Sequence, residues 1–129
     1  MSHLMIVDDD VEFAGNLAAI LRKGGHEVTV LNTTERAVQA IGRCGADLAI
    51  VDVMFPDNPA AGFELVRLIR HTRALQRLPI LLLTSVNQEF PMDFSAKDID
   101  PAWMPVQDFL EKPVKSAVLL RKIAKLLKK

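Results

Sequence analysis

The chain lacks most of what would commit it to a membrane, an oxidising compartment or a nucleic acid. Its single cysteine, Cys44, cannot form an intramolecular disulfide, which excludes a disulfide-stapled scaffold. The longest apolar stretches are strand-sized, too short to span a bilayer, and no segment reads as a secretory signal. Lys plus Arg and Asp plus Glu number 16 each, so no net charge points to nucleic acid. His3, His26 and His71 are scattered without metal-ligand spacing and are read as surface or structural residues; no glycine-rich phosphate loop of the P-loop kind is present. Internal repeats, low-complexity segments and linkers are absent as well, which predicts one domain over residues 1–129. The expectation is a cytoplasmic protein with no direct contact to nucleic acid or membrane.

What is present is apolar and ordered. Half of the 129 residues are hydrophobic, enough for a single compact core. Leu48-Ala49-Ile50-Val51 runs straight into a lone carboxylate, Asp52. A short continuous apolar run reads as a strand buried on both faces, as in a parallel sheet covered by helices. A charged residue at the end of such a strand sits at the carboxyl edge of the sheet, where open α/β folds place their ligands. Asp52 could also simply start a turn; the rest of the chain decides between the two.

Leu4-Met5-Ile6-Val7 is a first buried strand, ending in Asp8-Asp9-Asp10. An N-cap uses one of these carboxylates, and the positive end of a following helix helps the others. Capping explains one Asp well and three poorly, whereas Mg²⁺ is held by a few carboxylate oxygens plus waters. Phe13, Leu17, Ile20 and Leu21 recur at helical spacing, and Gly24-Gly25 ends that helix. Glu27 to Leu31 is a second strand; Thr33 or Thr34 then caps a helix carrying Val38 and Ile41, closed by Gly42. Cys44, beside Gly45, is a small packing residue near that helix end.

After the Asp52 strand, residues 56–62 form a loop rich in turn residues. Phe63, Val66, Leu68 and Ile69 form a third helix, with Arg67, Arg70 and Arg73 towards solvent. Pro79 to Leu83 is the fourth strand, ending in Thr84-Ser85. Residues 86–106 hold Pro91, Pro101 and Pro105, and no helical period survives across them. Proline inside a helix costs about 3 kcal/mol. Yet Phe90, Phe94, Ile99, Trp103 and Met104 are too apolar for an ordinary solvated loop, so an ordered loop with one or two helical turns is expected. Asp108 to Glu111 is a short fifth strand leading to Lys112-Pro113, and a final helix over 116–128 buries Val118, Leu119, Ile123 and Leu126.

Strand and helix thus alternate, and right-handed crossovers give an α/β fold: a doubly wound five-stranded parallel sheet, with the fourth helix shortened or replaced by an ordered loop. Asp8, Asp9, Asp52, Thr84 and Lys112 would all gather at one edge of that sheet.

An acidic pair after strand one, an Asp after strand three, a Thr after strand four and a Lys-Pro after strand five resemble a response-regulator receiver domain of two-component signalling, with its flavodoxin-like (CheY-like) fold. The resemblance covers nearly the whole chain. It implies that Asp52 takes a phosphoryl group from a phosphohistidine of a histidine kinase or phosphotransfer protein. It also implies that Asp9, Asp52 and the backbone carbonyl of Met54 bind Mg²⁺ (or Mn²⁺) directly, with Asp8 acting through water. Lys112 and Thr84 would contact the phosphoryl oxygens, and Pro113 would aim the lysine. Thr84 and Phe109 would form the switch, Phe109 standing where the family has an aromatic on strand five; Phe109 is equally readable as plain core. Asp10 matches no required position and is read as a cap or as support for its neighbours. The role is that of a signalling phosphoacceptor, not an enzyme.

Three departures from the family pattern stand out. The loop over 56–62 is slightly long. Thr84 and Lys112 lie 28 positions apart, more than usual, with the proline-broken stretch in place of a helix. Phe90, Phe94, Trp103 and Met104 either pack inside or form a partner-specific surface. Finally, Met54 and Val86 are apolar where faster members carry polar groups that position the attacking water, which predicts slow self-dephosphorylation. Two other readings compete: a haloacid-dehalogenase-type phosphatase using Asp8 and Asp10, which leaves Asp52 without a role, and a receiver that acts as a binding module without phosphorylation. The cognate kinase, the downstream target, the choice between monomer and homodimer, and the choice between a stand-alone protein and part of a longer regulator stay open.

Overall fold

The computed structural model describes residues 2–34, 36–52, 61–85, 108–112 and 114–127. Five strands, β1 (His3–Val7), β2 (Glu27–Leu31), β3 (Leu48–Asp52), β4 (Ile80–Ser85) and β5 (Asp108–Lys112), form one parallel sheet in the order β2-β1-β3-β4-β5. The continuous apolar runs take the interior positions: every residue of β3 is buried, as are Leu4 to Val7 of β1. Strand β2, at the edge, is less apolar and only part-buried. The winding reverses between β1 and β3, and that is where an open α/β sheet leaves a crevice at its carboxyl edge.

Helices α1 (Val11–Lys23), α2 (Ala37–Cys44), α3 (Ala61–His71) and α4 (Ser116–Leu127), with a single 3₁₀ turn at Arg73–Leu75, cover the sheet. Alternation along the strands sorts the core into two halves. Met5, Val7, Ala49, Val51, Ile80 and Leu82 meet Ala37 and Ile41 of α2 and Leu65, Val66 and Ile69 of α3. Leu4, Ile6, Leu48, Ile50, Leu81 and Leu83 meet Leu17 and Leu21 of α1 and Leu119 and Ile123 of α4. Both faces are therefore dry. Burying each Leu or Ile contributes about 1.5–3 kcal/mol, so the two halves together fix the register of the sheet.

Helix ends depart from expectation in places. Helix α1 begins on Asp10, whose carboxylate accepts the Phe13 N–H at 3.0 Å. It ends at the glycine pair: Gly25, at φ +92°, lets the His26 N–H reach the Leu21 carbonyl at 3.2 Å. Helix α2 is not capped by Thr33 or Thr34. Arg36 takes the N-cap position at φ 59° with no side-chain cap, and the Ala37 N–H bonds the Thr34 carbonyl instead. Nor does Gly42 close that helix. A glycine within a helix costs only about 1 kcal/mol, and the chain continues to Cys44 until Gly45, at φ +67°, supplies the left-handed turn. Cys44 is half-buried and packs against the core beneath α2.

Helix α3 starts at Ala61, so Gly62 belongs to its first turn rather than to the preceding loop. Leu68 does not reach the core and is 57% exposed. Leu65, Val66 and Ile69 define the inner face, and Leu68 falls about a third of a turn away from it. Arg70, in turn, is half-buried rather than solvated. It donates to the Leu75 carbonyl at 3.3 Å, and burial pushes its pKa below the usual arginine value. Among the described residues, no helix is long and apolar enough to cross a membrane.

Candidate functional site

The carboxyl edge of the sheet carries the acidic residues. Asp8 follows β1 directly, and its N–H bonds the Leu31 carbonyl at 2.9 Å, which extends the β1–β2 ladder by one residue. Its carboxylate is completely buried. Asp52 closes β3, 3% exposed, in register with Leu83 of β4. The register pairs Val7 with Val51, so Asp8 and Asp52 stand at the next level of two neighbouring strands. Adjacent strands lie about 4.8 Å apart. Asp9, half-buried, completes the group: one oxygen from each of Asp8, Asp9 and Asp52 lies within 4.8 Å of the others.

Hydrogen bonds hold the acidic loop in this arrangement. The Asp10 N–H donates to Asp8 Oδ1 at 3.0 Å, an Asx-type turn that directs the chain into α1. Asp10 is not one of the three; it is exposed and serves α1 as its cap. From the other side, Asn32 Nδ2 donates to the Asp8 carbonyl at 2.8 Å. Reading the sequence did not single out Asn32. The one signal was its position: it follows β2 directly and so lies at the same sheet edge.

Three carboxylates at this spacing repel strongly, two of them away from water. Their chemistry fits a hard cation that prefers oxygen donors, Mg²⁺ or Mn²⁺, and fits softer, thiolate-seeking metals poorly. Of the remaining site candidates, Thr84 and Lys112 lie on β4 and β5, whose register pairs Thr84 with Glu111 and Ser85 with Lys112. This sets their backbones at the same carboxyl edge, just beyond the level of Asp52 and Leu83. Phe109 lies on β5 opposite Leu82. Met54 and Pro113 fall outside the described residues, as do Val86, Phe90, Phe94, Trp103 and Met104. The histidines stay apart from this edge: His3 contacts Thr29 and Glu27 near the start of the strands.

Comparison with known proteins points the same way. The family described as response regulator receiver domain matches residues 4–124. The transcriptional regulatory protein GltR of Pseudomonas aeruginosa is 33% identical over 126 residues, covering 98% of this chain and 49% of its own length. The chain thus spans about half the length of the curated relatives it matches. Among solved structures, the signal receiver domain of a signal transduction histidine kinase from Syntrophus aciditrophicus superposes with a TM-score of 0.80 at 28% identity, covering 98% of this chain and 90% of that one. The chemotaxis protein CheY4 of Vibrio cholerae shares the fold, with a TM-score of 0.81 at 23% identity over 98% of each chain. The fold is the CheY-like, flavodoxin-like α/β fold with a parallel sheet. Because the match runs from the first strand into the last helix, the chain belongs to the response-regulator receiver domains of two-component signalling systems.

Proposed function

We infer that residues 1–129 act as a phosphoacceptor domain, with Asp52 as the residue that accepts the phosphoryl group. The observation that carries this reading is the meeting of Asp8, Asp9 and Asp52 from two separate strand ends within 4.8 Å, two of them buried. A carboxylate oxygen of Asp52 attacks the phosphorus of a phosphohistidine on a histidine kinase or phosphotransfer protein. The new P–O bond forms as the P–N bond breaks, and the leaving imidazole takes up a proton. Asp9, Asp52 and the carbonyl of Met54 would hold Mg²⁺ or Mn²⁺ directly, and Asp8 through water. When bound, the ion supplies positive charge that offsets repulsion between the carboxylates and the incoming phosphoryl oxygens.

Lys112 pairs with one phosphoryl oxygen, Thr84 donates a hydrogen bond to another, and Pro113 aims the lysine. Thr84 and Phe109 then report the change to the surface. Phe109 has no hydroxyl, so its part rests on packing. The downstream target reads the switched form, with the domain acting as monomer or homodimer in the cytoplasm. Met54 and Val86 offer no hydrogen bond to an attacking water, which favours slow self-dephosphorylation. The phosphatase alternative is not favoured: its acid/base candidate, Asp10, is engaged as a helix cap and is not one of the three grouped carboxylates.

Intact mass after incubation with acetyl phosphate or phosphoramidate, with and without Mg²⁺, tests the reading. The wild type gains one phosphoryl group only with the metal, and Asp52→Ala gains none. A gain that survives in Asp52→Ala would refute the assignment; no gain in the wild type would favour a receiver that works by binding alone. Following the decay of the phosphorylated form gives a second quantity to check: Met54→Asn should lose phosphate faster than the wild type, and slower loss would count against the role given to Met54.

A further inference from the structure

We propose that Asn32 is a positioning residue that fixes the Asp8–Asp9 peptide and so holds the acidic loop ready for its cation; the inference rests on the phosphoacceptor reading above. Between the last residue of β1 and the first of α1 lie only Asp8, Asp9 and Asp10. No apolar side chain in that stretch can anchor it by packing, and the charges push its members apart. Its shape is therefore set by hydrogen bonds. Two of them lie within the loop and its turn into α1: Asp10 N–H to Asp8 Oδ1 at 3.0 Å and Phe13 N–H to Asp10 Oδ1 at 3.0 Å. Two come from the end of β2: the Leu31 carbonyl accepts the Asp8 N–H at 2.9 Å, as a continuation of the ladder, and Asn32 donates from its side chain to the Asp8 carbonyl at 2.8 Å.

That carbonyl belongs to the peptide plane joining Asp8 to Asp9, and a peptide plane is rigid. Fixing its oxygen orients that plane and so places the Asp9 Cα, from which the carboxylate departs. Asp9 is the half-buried member of the group, and its backbone follows directly from that plane. The amide of asparagine suits the task because it donates without adding charge beside three carboxylates. An aspartate there could not donate to a carbonyl. Groups that orient metal ligands in this way typically contribute 10–100-fold in affinity; for a bond this close to solvent, the low end applies.

The test uses the whole chain, with MgCl₂ as the probe. Isothermal titration of wild type, Asn32→Ala and Asn32→Asp should give affinities about tenfold weaker for both variants. Asn32→Asp is the discriminating one, since its added negative charge alone would tighten Mg²⁺ binding. Amide hydrogen exchange of the metal-free proteins gives a second readout. In Asn32→Ala the Asp10 amide should exchange several-fold faster, while the Ile6 and Thr29 amides, which face each other's strand in the β1–β2 ladder, stay unchanged and show that the sheet is intact. Wild-type Mg²⁺ affinity in Asn32→Ala, tighter binding in Asn32→Asp, or an unaltered Asp10 amide would overturn the assignment of Asn32 alone. A wild type that binds no Mg²⁺ would overturn both this inference and the phosphoacceptor reading beneath it.

Discussion

Magnesium should stabilise this protein by an amount that depends on Asp52. At 4.8 Å two unit charges repel by about 3.5 kcal/mol at an effective dielectric of 20 and about 0.9 kcal/mol in bulk water. The Asp8–Asp52 pair is buried and lies near the upper value; the two pairs involving half-exposed Asp9 lie nearer the lower. Together they amount to about 5 kcal/mol of repulsion that a bound dication would offset. The measurable gain is set by mass action: Mg²⁺ at about a hundred times its dissociation constant adds about 2.7 kcal/mol to the folded state. With urea slopes of about 1–3 kcal/mol per molar, the unfolding midpoint should rise by roughly 1–2.5 M. Sodium chloride at matched ionic strength should not reproduce the rise, because screening acts on charges at the surface more than on buried ones. In Asp52→Asn, affinity at least about tenfold weaker removes about 1.4 kcal/mol of that gain. Each variant is compared with itself, with and without metal, so other contacts of the Asp52 side chain cancel. Equal gains in wild type and Asp52→Asn would refute the claim that Asp52 belongs to the cation site.

Other outcomes follow from single contacts. Asp10→Ala should lower stability by about 1 kcal/mol through loss of the Phe13 cap, with Asp10→Ser restoring most of it in urea unfolding. Because Asp10 stands outside the carboxylate group, its replacement should weaken Mg²⁺ far less than Asp52→Asn, as titration calorimetry would show. Ile123→Ala removes a fully buried side chain that ties α4 to the sheet and should cost about 2–5 kcal/mol, read as a lower urea midpoint at unchanged slope. Gly45→Ala meets open space around its new methyl, so its cost of roughly 1–2 kcal/mol would be the left-handed backbone at φ +67° alone. A thermal midpoint equal to wild type would show that the turn relaxes.

The order of elements and the acidic group were legible because each rests on a local signal that packing reinforces. Leu48 to Val51 could hardly be anything but a buried strand, and a carboxylate at its end had to meet whatever stood at the end of Leu4 to Val7. Legibility failed where two local rules competed. Thr33 and Thr34 are good caps by type, but the chain leaves β2 in a turn that brings Arg36, not a threonine, to the start of α2. Gly42 looks like a stop, yet the burial of Ile41 and the better-placed Gly45 carry α2 past it. Leu68 and Arg70 were assigned by residue type, and the rotation of α3, set by Leu65, Val66 and Ile69, reversed both. Asn32 was invisible because a side-chain bond to a backbone carbonyl leaves no periodicity and no motif.

Strand β3 is hydrogen-bonded on one side by β1 and on the other by β4, with helices pressed against both of its faces. Asp52 is therefore mounted like the tip of a post braced from four directions. A group added at that tip cannot be accommodated by the post giving way, since its backbone has no slack to take up. Any adjustment falls to its neighbours, among them the acidic loop that leaves the end of β1. If Asp52 is the phosphoacceptor proposed above, the part that reacts is the stationary one, and the message consists of what is pushed or drawn towards it.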